Sequence, residues 1–235
     1  VILSVLIVIV SASERASLVR VSDRKAVTFD AMIQDAVQSD VIVIGETHGN
    51  RLHHAIQLEV IRALHESDTP RIIAMEMFRQ ASPDRFVPVY YRNWTIPWGF
   101  YEDIFLYARE HGIPIAGLNI PQEITSAIAR RGFSGLTSAA RERLPAGISC
   151  TIDKSYMAFI RKAYAGHGKG DGSSFQYFCE AQTVWDKPMA ANLIAFMKES
   201  PGKKAVVLAG VGHAWRRGIP EQLSLLSGYR TQVIL

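Results

Sequence analysis

Four residues that can carry acid–base or metal-ligating chemistry stand directly after short apolar runs. Glu46 and His48 follow Val41-Ile42-Val43-Ile44, Glu76 follows Ile72-Ile73-Ala74-Met75, and His213 closes the stretch that begins Ala205-Val206-Val207-Leu208. The two histidines each end a Gly-x-x-His turn, Gly45 to His48 and Gly210 to His213. Glycine lets a chain turn sharply off a strand, which aims the next polar side chains at the rim. Two imidazoles and two carboxylates suffice for a divalent metal or for a general acid and base. His54 and Gln57 are spaced i, i+3 on the following helix, so both can face the same place. Asn119 ends a further apolar run before Pro121, and Gln182 and Asp186 lie one helical turn apart, within reach of the same crevice. Simpler roles compete: Thr47 or Asn50 can merely cap the next helix, and Asp186 can belong to a solvated helix face. The aromatic cluster Tyr90-Tyr91-Arg92-Asn93-Trp94, with Trp98 and Tyr101, either lines a pocket for a flat ligand or packs core and rim.

The elements that must position these residues follow from hydrophobic periodicity. Val41–Ile44, Arg71–Met75, Ile113–Leu118, Ala205–Leu208 and Thr231–Leu235 read as strands, and a continuous β-branched run such as the first suits a parallel strand covered on both faces. Phe29–Val37, Arg51–His65 and Phe100–His111 carry helical spacing, the last stopping at Gly112. The alternation predicts an α/β fold, a parallel sheet flanked by helices over residues 27–121 and 201–235. Strand runs vanish over 122–200, where Gln122–Arg131, Ile152–Ala163 and Phe175–Lys198 read as helices interrupted by a Gly-rich break from Gly166 to Gly172. That stretch is predicted to be an inserted, smaller helical subdomain. In such sheets ligands sit beyond the carboxyl ends of the strands, where Glu46, His48, Glu76, Asn119 and His213 fall. No HExxH helix, P-loop, GxGxxG turn or GxSxG elbow is present.

The chain has 235 residues and a formal charge of +4, with basic residues scattered among acids rather than gathered in a stripe. Nucleic-acid binding is therefore not expected. Val1 to Val10 is almost wholly apolar and Ser11-Ala12-Ser13 follows, a pattern resembling the core and cleavage region of a secretory signal; residues 1–13 are read as a signal remnant, with a buried strand as the alternative. Export to the periplasm or cell envelope is the expectation. Membrane association remains compatible with this, although no lipobox cysteine stands near the expected cleavage point. Cys150 and Cys179 either form one disulfide or stay as two reduced, buried thiols.

Taken in order, Gly45-Glu46-Thr47-His48 with His54 and Gln57, Met75-Glu76-Met77-Phe78, Asn119-Ile120-Pro121, Ala181-Gln182 with Asp186 and Met189-Ala190, and Ala209-Gly210-Val211-Gly212-His213 with Gly218-Ile219-Pro220 resemble the ChaN-like haem-binding uptake family. The wider superfamily includes the TIKI/TraB and erythromycin-esterase groups. The resemblance implies a parallel α/β domain with a helical subdomain, haem as cofactor, a homodimer when haem-loaded, and a place in haem or iron uptake at the bacterial cell envelope. It further implies a tyrosine on the haem iron, assisted by a partner subunit's histidine; ferric iron, a hard ion, suits a phenolate oxygen. The candidates are Tyr156 and Tyr164 with His167 in the Gly-rich loop, and Tyr91 and Tyr101 as alternatives. A metal-dependent hydrolase using Glu46, His48, Glu76 and His213 around a divalent ion is the competing expectation.

Overall fold

The structure, a computed structural model, describes residues 3–8, 17–67, 69–78, 90, 94, 96–146, 157–158, 161 and 175–235. Its frame is a sheet of eight strands: β1 (Leu3–Val8), β2 (Ser17–Arg20), β3 (Lys25–Val27), β4 (Val41–Glu46), β5 (Arg71–Met75), β6 (Ile115–Gly117), β7 (Lys204–Gly210) and β8 (Thr231–Ile234). They lie in the order β3-β2-β1-β8-β4-β7-β5-β6. The five strands from β8 to β6 are mutually parallel, and β4 is flanked by β7 and β8. The strands read from sequence form this parallel core. At the other edge β1 runs parallel to β8, and β2 and β3 add antiparallel strands. Leu3–Val8 thus takes the strand conformation that was the alternative to an export signal.

Each side of the sheet is covered because successive side chains point to opposite faces. One face (Ile42, Ile44, Ile73, Met75, Val206, Leu208) packs against α1 (Phe29–Ala36), α2 (Arg51–Glu66) and α3 (Glu102–Glu110) through Met32, Leu58, Ile61, Leu64 and Ile104. Tyr90 and Tyr101 are fully buried in this layer, so these members of the aromatic cluster pack the core. The other face (Val41, Val43, Ile72, Ala74, Val207) meets Met189, Leu193, Met197, Ile219 and Leu223.

Those residues come from α6 (Phe175–Glu199) and α8 (Ile219–Leu226), between which α7 (Val211–Ala214) is a single turn. The first half of α6 instead joins α4 (Gln122–Arg131) and α5 (Ser138–Glu142) in a third cluster built on Ile124, Ile128, Leu136, Ala181 and Val184. One helix therefore belongs both to the helical part and to the sheet layer. It runs through Pro188, which has no N–H to give the carbonyl four residues back. Cys179, on α6, is disulfide-bonded; the chain's other cysteine, Cys150, lies outside the described residues. Among the described residues no helix is long and apolar enough to cross a membrane.

Candidate functional site

The rim expected from sequence forms where β4, β5 and β7 end. Glu46, the last residue of β4, is 1% exposed and has polar neighbours on both carboxylate oxygens. Its Oε1 accepts from His48 Nδ1 at 2.7 Å and from the Tyr101 hydroxyl, and its Oε2 accepts from Gln57 Nε2 at 2.8 Å. His54 Nδ1 stands 3.5 Å from Oε2. Burial alone would raise the Glu46 carboxyl, but the His48 hydrogen bond, the His54 charge and the Tyr101 hydroxyl outweigh it and hold it below the usual value. His54 is itself sandwiched by acceptors. Its Nε2 faces the His48 carbonyl at 2.9 Å and its Nδ1 faces Gln57 Oε1 at 3.2 Å, while the Gln57 amide nitrogen is committed to Glu46.

A second group abuts the first. Glu76, one residue beyond β5, accepts from the Gly210 backbone N–H at 2.6 Å through Oε2. Its Oε1 lies 3.6 Å from His213 Nε2, and His213 Nδ1 meets Asp186 Oδ1 at 2.7 Å. Burial opposes a charged imidazole at His213, but the Glu76 and Asp186 carboxylates on its two sides raise it to about 9. The two groups join at Gly210, where a Cβ would come within 2.8 Å of His48 Nε2. Only glycine lets the His48 ring lie against the end of β7. Burial likewise opposes charge on His48, yet the Glu46 hydrogen bond and the Glu76 and Glu46 charges raise it above its ordinary value. Trp94 and Trp185 contribute ring edges to His48 and His213, with centroids 4.7 and 5.5 Å away.

Of the residues expected at the site, Glu46, His48, His54, Gln57, Glu76, Asp186 and His213 are brought together. Asn119 turns its side chain back to the Ile120 N–H at 2.8 Å, and Gln182 is half-buried on α6, with no hydrogen bond to the cluster among the described residues. Tyr101 enters through its hydroxyl on Glu46, a contact across 55 positions that no local spacing signals. Burial, then the Glu46 charge, push that phenol up, which disfavours phenolate. His53 works apart from the cluster, its Nδ1 accepting the Thr47 N–H at 2.9 Å, while Asn50 caps α2 by accepting the Leu52 N–H. Tyr91, Tyr156, Tyr164 and His167 lie outside the described residues. Among the described residues no group of three His, Cys, Asp or Glu side chains is arranged to hold a metal ion. What the arrangement can do is exchange protons, because His48 is backed by a buried carboxylate and is the most exposed member of the pairs, with 32% of its side chain accessible.

Glu46, His48, Glu76 and His213 stand at the ends of three parallel strands. The family model for haem-binding uptake proteins of the Tiki superfamily, ChaN, matches residues 32–223. The chain belongs to this family. Among solved structures, ChaN of Campylobacter jejuni, described with cofacial haem binding, superposes with a TM-score of 0.71 at 19% identity, over 93% of this chain and 89% of that one. That likeness shows the ChaN fold, with the parallel sheet and flanking helices. The type III effector HopBA1 (TM-score 0.48, 13% identity, 87% of this chain and 80% of that one) and a mutant of the erythromycin esterase EreC in its open conformation (0.45, 14%, 87% and 68%) are more distant. No curated protein matches the sequence significantly.

Proposed function

We propose that this ChaN-family chain binds haem and serves haem or iron uptake at the bacterial cell envelope, as a homodimer when loaded. The family match across residues 32–223 carries this reading. The crevice itself favours a haem site elsewhere: its polar groups are already committed to one another, and Tyr101, buried and bonded to Glu46, is poorly placed to become an iron-bound phenolate. The candidates for iron ligation are Tyr156 and Tyr164, with His167 assisting and Tyr91 as an alternative, as the resemblance to the family implies. Residence outside the cytoplasm is supported by the disulfide at Cys179, since such bonds persist in oxidising compartments.

Titration of the purified chain with hemin tests the reading. A saturable Soret shift is expected, weakened in a Tyr156→Phe, Tyr164→Phe double variant. A flat titration of the wild type would sink haem binding, whereas undiminished binding by the double variant would refute only the ligand assignment.

A further inference from the structure

The end of the molecule opposite the crevice carries a second cluster of imidazoles. His65 lies in the last turn of α2 and His111 caps the end of α3, so two helix C-termini converge there. Their rings are 5.0 Å apart between centroids, at 78°. Tyr107, one turn before His111, stacks on it at 4.0 Å and meets the His65 ring at 5.9 Å.

Three features go beyond aromatic packing. His111 Nδ1 donates to the Tyr107 carbonyl at 2.9 Å, which fixes the ring and leaves Nε2 as the lone-pair nitrogen. Metal-ligating histidines are held by that same arrangement, one ring nitrogen on a backbone carbonyl and the other on the ion. The separation also fits. With metal–nitrogen bonds of about 2.0–2.1 Å, two imidazoles on one ion have ring centres about 4.5–5.2 Å apart for ligand angles between roughly 90° and 110°. The observed 5.0 Å falls inside that interval. Finally, each helix C-terminus presents the negative end of its dipole, which favours a cation. Glu66 and Glu110 add negative charge around Tyr107, and Arg62, 5.4 Å from its ring, is the opposing charge.

We propose that His65 and His111 form a surface site for a late first-row divalent ion such as Cu2+, Ni2+ or Zn2+, water completing the coordination. Imidazole suits these ions, and Cu2+ stands highest in the affinity order. Tyr107 is a positioning residue, holding the His111 ring by stacking.

The test is calorimetric titration of the chelator-stripped full chain with CuCl2 and with ZnCl2, together with electron paramagnetic resonance of the Cu2+ form. One equivalent of Cu2+ with hyperfine splitting from two imidazole nitrogens is expected. His65→Ala and His111→Ala should each weaken that event roughly tenfold or more. The other histidines can bind Cu2+ as well, so the double variant decides. Loss of one equivalent while its melting temperature and its Soret titration with hemin stay unchanged supports the site. Unaltered stoichiometry and affinity in the double variant overturn it and leave the pair as edge-to-face packing.

Discussion

His213 shows how the site's residues couple function to stability. Its imidazole is raised to about 9 by Glu76 and Asp186 despite burial, against an ordinary value of 6.5. A base raised in the folded state stabilises fully below the unfolded pKa and loses that contribution as pH climbs through the folded one. The window is therefore pH 6.5 to about 9, and the contribution at stake is on the order of 3 kcal/mol. The wild-type melting temperature should fall across that range, while His213→Gln should be less stable at pH 6 and should lose less between 6.5 and 9, where His48 still titrates. A wild-type profile as flat as the variant's would contradict the ion pairing. Which residues meet was largely readable, because strand ends in a parallel sheet gather on one rim. Asn119 escapes that logic by bonding to its own neighbour's N–H, and the Tyr101 contact with Glu46 joins positions too far apart for local spacing to announce.

At the scale of the element, β5 carries an unusual burden. Arg71 opens the strand, is 7% exposed, and has no hydrogen-bond partner among the described residues on any of its three guanidinium nitrogens. Burial draws it down to about 10, so at neutral pH the folded state holds a cation it solvates poorly. Arg71→Met should raise stability by on the order of 1 kcal/mol, read as a higher urea midpoint at unchanged slope. A large loss instead would reveal that the guanidinium is compensated. The longer apolar strands were legible because both faces are covered and alternation gives way to continuous Val and Ile. β2 and β3 were not: Ser17–Arg20 and Lys25–Val27 are short, partly charged, and add antiparallel strands outside the parallel core. α8 was missed for a related reason, since an eight-residue helix opening on Ile219-Pro220 offers barely two turns of periodicity. The 25-residue α6 was visible as a helix, but its divided allegiance depends on which core each half meets, which is tertiary information.

For the whole molecule, the parallel α/β sheet was legible in the apolar runs before residue 121 and after residue 201, and the family relation followed from motifs spread along nearly the whole chain. Size-exclusion chromatography with light scattering should show one chain's mass without haem and twice that mass with stoichiometric hemin; identical masses in both states would remove the dimer. The sheet order also has a consequence for how the chain comes into being. β4 is the first strand of the parallel core to be synthesised, yet both of its neighbours, β7 and β8, are drawn from residues 204–210 and 231–234. Until those residues leave the ribosome, Val41 to Glu46 has no partner on either side, and Glu46 and Gly210 cannot face each other. The nascent chain therefore stays without its central pairing for most of its synthesis, a delay that leaves it open to holding chaperones.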